Sequence, residues 1–208
     1  MVLNNGDIIL FQGDSVTDSS RKYEEKEDLG IGYPMLISSL YHALSPDKEI
    51  KFINRGINGN RVKDLDDRWT EDCLSLNPTL VSILIGINNC WRRYDANDPT
   101  TLSDFKNVYR NILTRLKEHN NPKLILLEPF LLPVQPGQEL WREDLDPKIN
   151  AVRELARDFN ATLIPLDGIF NQASTYKPMS FWTYDGVHPT QAGHGLIAKE
   201  WLKVVETL

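Results

Sequence analysis

The sequence predicts an α/β protein built as a three-layer α/β/α sandwich, and two observations carry this. Five short apolar runs are bounded by turn residues and are mostly continuous rather than alternating, as strands buried on both faces of a parallel sheet are. Between them lie apolar stripes at helical spacing. Strand and helix therefore alternate along the chain, the pattern of βαβ units with right-handed crossovers.

The elements follow in order. Ile8 to Phe11 is the first strand. Leu36, Ile37, Leu40, Tyr41 and Leu44 share one face of a helix that has Pro34 near its first turn. Ile50 to Ile53 is the second strand, followed by a helix with Val62, Leu65, Trp69 and Cys73 inward. Leu80 to Ile85 is the third. The strongest stripe comes next: Leu102, Phe105, Val108, Tyr109, Ile112, Leu113 and Leu116. Leu124 to Leu127 is the fourth strand. Asp146-Pro147 reads as an N-cap with proline at the first helical position, ahead of Ile149, Val152, Leu155, Ala156 and Phe159. Thr162 to Leu166 is the fifth strand. Thr190 caps a last helix that turns Ile197, Trp201, Val204 and Val205 inward. Two stretches fit no element, Thr17 to Gly32 and Pro129 to Leu140. Both follow strands, so both belong at the carboxyl edge of the sheet, where open α/β folds bind ligands.

Composition bounds the function. With 41% hydrophobic and 25% charged residues the chain is neither disordered nor fibrous. A net charge of -6 gives no basic excess for a phosphate backbone, which argues against nucleic acid as a partner. No apolar run reaches the roughly 20 residues that span a bilayer, and the polar start, Met1 to Gly6, does not read as a secretory signal. The expectation is one domain over residues 1–208 in the cytoplasm, away from membranes. Cys73 and Cys90 form no CxxC and read as reduced thiols.

Four segments carry candidate chemistry. Gly13-Asp14-Ser15 follows strand one, and a helix starting there would stabilise an anion near the serine. Asn54-Arg55-Gly56-Ile57-Asn58-Gly59-Asn60 follows strand two, with glycines that let the backbone approach a ligand. Gly86-Ile87-Asn88-Asn89 follows strand three and offers a side-chain amide to a developing oxyanion. Asp185-Gly186-Val187-His188-Pro189 precedes the last helix, with a carboxylate spaced to orient an imidazole. Singly, each competes with a plain helix cap, turn or loop residue. Together they belong at one sheet edge and supply nucleophile, oxyanion donors, base and orienting acid.

In these four blocks, matched in order across nearly the whole chain, the sequence resembles the SGNH hydrolases, or GDSL esterases. The resemblance implies five parallel strands in a flavodoxin-like arrangement. It implies Ser15 as nucleophile, His188 as base and Asp185 as its orienting acid. The oxyanion hole would be the Ser15 amide, the Gly59 amide and the Asn88 side chain. Two positions depart from the pattern: Asn89 stands where the family usually has aspartate, and Asn58 where it has serine. The stretch Asn54 to Leu65, with Arg68-Trp69, Glu71-Asp72, Ser82 to Asn88, Trp91-Arg92 and Trp182, is similar to intracellular acetylxylan esterases. Those relatives remove acetyl groups from short xylan fragments, and some form higher oligomers.

Trp91, Tyr94, Trp141 and Trp182 flank these segments, and flat aromatic faces suit the apolar C–H face of a sugar. Trp91, Trp182 and Tyr94 are thus candidate substrate contacts, against the alternative of simple packing. Asp18 and Arg21 are expected to pair and order the loop after Ser15, and Glu24 to Asp28 to be a solvated face. No metal-ligand spacing is visible and the chemistry requires no cofactor. The expected activity is removal of short acyl groups, acetyl above all, from carbohydrate. A lysophospholipase or thioesterase, its acyl groove lined by Phe130-Leu131-Leu132 and Val134, is the rival enzyme. A carbohydrate-binding module without catalysis is the rival of another class.

Overall fold

The structure, a computed structural model, describes residues 2–205. Five strands form one parallel sheet: β1 (Ile8–Gly13), β2 (Lys51–Asn54), β3 (Leu80–Leu84), β4 (Lys123–Leu127) and β5 (Thr162–Ile164), in the order β2-β1-β3-β4-β5. The alternation of side chains explains why the runs are continuously apolar. Ile9, Phe11, Leu80, Leu84, Ile125 and Leu127 enter one core. Leu10, Val81, Ile83, Leu124 and Leu126 enter the other.

Helices cover both faces. On the first lie α2 (Tyr33–Leu44), α7 (Leu166–Ser174) and α9 (Gln191–Val205), through Tyr33, Ile37, Tyr41, Phe170, Ile197 and Trp201. On the second lie α3 (Val62–Asp72), α5 (Leu102–His119) and α6 (Arg142–Asp158). The one polar side chain of β3, Ser82, is buried and accepts the Trp201 indole N–H at 3.0 Å. This is the expected three-layer α/β/α sandwich. Strand order reverses between β1 and β3, so a crevice opens at their carboxyl ends.

Several expectations need correction. In α2 only Ile37 and Tyr41 of the five stripe residues are buried; Leu40 and Leu44 are exposed, as is Leu102 at the start of α5. Helix α6 begins at Arg142, not after Asp146, and carries Pro147 inside it. Tertiary contacts hold that extra turn: the Arg142 guanidinium donates to the Leu131 carbonyl at 2.6 Å and to Asp167 at 2.8 and 2.9 Å. The fifth strand stops at Ile164, because Leu166 already belongs to α7. Four helices among the described residues were not expected: α1 (Ser15–Asp18), α4 (Ile87–Asp95), α7 and α8 (Met179–Trp182). Among the described residues no helix is long and apolar enough to cross a membrane.

Candidate active site

The β1 strand ends at Gly13, and Asp14 caps the short α1 by accepting the Val16 N–H at 3.0 Å. Ser15 is thereby fixed as the first residue of α1. Its Oγ lies 2.9 Å from His188 Nε2, and His188 Nδ1 lies 2.6 Å from Asp185 Oδ2. The other Asp185 oxygen accepts the backbone N–H groups of Val187 and His188 at 3.0 and 2.7 Å. The segment curls because Gly186 takes φ +95° and Tyr184 N–H bonds the His188 carbonyl at 2.8 Å. With Asp185 accepting from Nδ1–H, Nε2 is left to accept the Ser15 proton.

The hydrogen bond to Asp185, opposed by burial, raises the His188 pKa above its ordinary 6.5. Burial would raise Asp185, but bonds from the His188 ring, the His188 amide and the Val187 amide outweigh it and bring the carboxyl down to about 2. Asp14 goes the other way. Burial pushes it up to about 7, against the Val16 N–H and the His188 charge. Sequence reasoning assigned Asp14 no role, and its only signal was its place between Gly13 and Ser15.

Loop 54–60 is pinned from several sides. Asn54 Nδ2 donates to the Thr17 and Leu29 carbonyls at 2.7 and 2.9 Å, and the Asn58 N–H donates to Asp18 Oδ2 at 2.9 Å. Gly56 permits this closeness, since a Cβ there would meet the Asp18 nitrogen at 2.3 Å. Gly59 holds φ +80°. Asn88 is buried in the first turn of α4, and one of its amide hydrogens goes to the Asn60 carbonyl at 3.1 Å. Asn89 bonds elsewhere. Its Oδ1 accepts the Val62 N–H at 3.1 Å, at the start of α3, and its Nδ2 donates to Thr100 at 3.1 Å.

The Asp18–Arg21 contact is made by the backbone: Arg21 N–H donates to Asp18 Oδ1 at 3.0 Å, whereas the guanidinium bonds the Gly56 carbonyl at 3.0 Å. Glu24 to Glu27 are exposed as expected, whereas Asp28 is half-buried and accepts the Lys22 and Gly30 N–H groups at 2.6 and 3.2 Å.

Ser15 and His188 line an open cleft of about 930 Å³. Its walls come from the loop after α1 (Ser19, Tyr23), from α2 (Met35, Leu36) and from Tyr184 and His194. The aromatic candidates lie elsewhere. Trp91 sits beside the His188 ring, centroids 5.8 Å apart, and is backed by Trp141 at 5.5 Å. Tyr94 stacks on Trp141 at 5.3 Å and donates its hydroxyl to the Leu140 carbonyl at 3.0 Å. Trp182 ends α8, which packs on α9; it is half-buried against the first core, with the exposed Phe181 ring edge-on to it at 5.0 Å. None of the three is among the cleft walls. Phe130, Leu131 and Leu132 are fully packed in the cores and do not line the cleft either, so the groove imagined for a long acyl chain is not built from them.

Among the described residues no three histidine, cysteine or acidic side chains converge as a metal site would require. A hydroxyl, an imidazole and a carboxylate in series, beside amides at a sheet edge, is an arrangement suited to acyl transfer.

Comparison with known proteins agrees. The chain is 33% identical over 213 residues to the acetylxylan esterase of Geobacillus stearothermophilus, covering 99% of this chain and 96% of that protein. The crystal structure of that esterase superposes with a TM-score of 0.92 at 32% identity, over 100% of this chain and 99% of the other. Its catalytic mutants replace a serine, an aspartate and a histidine, the last two spaced three apart like Asp185 and His188 here. A GDSL-like lipase structure from Parabacteroides merdae superposes at 0.94, with 32% identity and coverage of 99% and 98%. Residues 11–196 match the GDSL-like lipase/acylhydrolase family. The fold, the hydrolase-like arrangement at the sheet edge and this match over most of the chain converge: the protein belongs to the GDSL-like lipase/acylhydrolase family and is a carboxylic ester hydrolase.

Proposed function

We propose that this single-domain chain removes acetyl groups from short xylo-oligosaccharides through an acyl-enzyme. Ser15 attacks the ester carbonyl while His188 takes its proton, and Asp185 holds the ring and stabilises its charged form. The oxyanion is bound by the Ser15 and Gly59 amides and the Asn88 side chain. His188 then protonates the departing sugar oxygen and activates the water that releases acetate. The observation that carries the reading is the series Ser15 Oγ, His188, Asp185, at 2.9 and 2.6 Å, opening on the cleft. The carbohydrate assignment draws support from the similar acetylxylan esterase. The two cysteines, buried and unpaired, support a reducing compartment such as the cytoplasm.

Asn88→Ala is expected to lower kcat about 10²–10³-fold with little change in KM, because its hydrogen bond strengthens as charge develops on the oxygen. Steady-state kinetics decide this; an unchanged kcat with a raised KM makes Asn88 a ground-state binding residue instead. For the substrate class, kcat/KM is compared for acetyl, butyryl and octanoyl aryl esters, beside acetate release from acetylated xylobiose. Each methylene received by an apolar groove contributes about 0.8 kcal/mol. The proposal expects acetyl to lead and acetate to be released from the sugar. A steady rise to octanoyl, with no acetate from the sugar, would establish a lipid-directed enzyme using the Ile31, Met35 and Leu36 side of the cleft.

A further inference from the structure

His194 lines the cleft yet has no part in the series built on His188. It is only 9% exposed, and its ring lies over Tyr33 with centroids 6.5 Å apart. Its Nδ1 accepts the Tyr33 N–H at 3.2 Å. Tyr33 opens α2, and Gly32 before it offers no side chain to cap that amide. In the neutral ring Nδ1 therefore carries no proton, and the proton is on Nε2. Burial, with the nearby His188 charge, pulls the pKa down to about 4, so the ring is neutral at neutral pH.

Nε2–H then donates to Ser19 Oγ, 3.4 Å away. Ser19 also lines the cleft, and its own hydroxyl hydrogen has no acceptor among the described residues. The relay runs in one direction, from the α2 amide through His194 to a serine hydroxyl free to donate to whatever enters. Holding it there costs strain, since Ser19 has φ +42° and Ser20 φ +65°. It also needs a glycine behind it: a Cβ on Gly32 would come within 2.6 Å of Ser19 Cβ and 2.9 Å of His194 Cε1.

We propose that Ser19, positioned by His194, is a hydroxyl-recognition subsite, donating to a ring or hydroxyl oxygen of the sugar whose ester Ser15 attacks. The proposal rests on the carbohydrate reading above and specifies how the cleft selects for it. Ser20, Asn58 and Gln191 line the same cleft and add neutral partners for a polyol. An alkyl chain in this position would desolvate the Ser19 hydroxyl without offering an acceptor, which penalises lipid esters.

Two variants test this while sparing the fold. Ser19→Gly deletes the hydroxyl at a backbone conformation glycine prefers. His194→Asn keeps an acceptor near the Nδ1 position for the Tyr33 amide and deletes the Nε2 donor. The readout is the ratio of kcat/KM on acetylated xylobiose to that on 4-nitrophenyl acetate, with Tm as the folding control. Each variant is expected to lower the ratio about tenfold, the scale of one hydrogen bond. The double variant should fall no further than Ser19→Gly, because His194 acts through Ser19. Equal losses on both substrates, or an unchanged ratio, overturn the subsite while leaving the carbohydrate reading intact. A wild-type protein that releases no acetate from the sugar overturns that reading and the subsite with it.

Discussion

Ser15→Ala is expected to reduce ester hydrolysis by about three orders of magnitude or more, leaving only what the oxyanion donors and binding provide. The fold should survive. Among the described residues the Ser15 hydroxyl bonds only His188 Nε2, and the Asp14 cap that starts α1 does not involve it. Circular dichroism and Tm check the fold, and initial rates with an aryl acetate check the activity. A variant within about tenfold of wild type has lost only about 1.4 kcal/mol of transition-state stabilisation, and Ser15 is then not the nucleophile.

Asp185→Asn should lower kcat by about 10⁴, and the geometry gives the reason. One oxygen of Asp185 already receives the Val187 and His188 amides, so the asparagine carbonyl will take that place. Its NH₂ then faces His188 Nδ1, where Oδ2 stood. Nδ1 must become the acceptor, and the ring proton moves to Nε2, facing Ser15, in the wrong tautomer for a base. The pH profile should move too. The reactive form of His188 is neutral, so activity falls as pH drops through its pKa. In the wild type that midpoint lies above 6.5, because Asp185 favours the protonated ring. Removing the charge lowers it. A profile of kcat/KM from about pH 5 to 9 tests this; an unmoved midpoint means Asp185 does not act on His188.

Much of this was legible in the residues. The strands announced themselves because β1, β3 and β4 are buried on both faces over most of their length, which leaves few polar positions to break the run. The four motif segments were placed at one edge by topology alone, since each follows a strand or precedes the last helix. Other features had no local signature. Helix α4 carries Asn88, Asn89 and Cys90 on its buried side, a polar set that reads as a turn. The first turn of α6 depends on Arg142 reaching Asp167 and the Leu131 carbonyl, contacts no window of sequence contains. Leu40 and Leu44 repeat at helical spacing and still face solvent, because periodicity marks a side of the helix and not what covers it. The cleft walls had no local signature either. Trp91 and Trp182 stand next to the motifs in sequence, whereas the walls come from the irregular loop after α1 and from Tyr184 and His194. Asn89 shows the converse, a departure from the family pattern that has a clear structural task at the start of α3.

Covalent labelling tests the central claim most directly. A fluorophosphonate mimics the tetrahedral adduct and is not released by water, so it marks the nucleophile that the oxyanion donors serve. The account predicts one label per chain, on the peptide containing Ser15, with esterase activity lost in proportion and no label on Ser15→Ala. Labelling elsewhere, or full esterase activity in protein carrying the label, would contradict it.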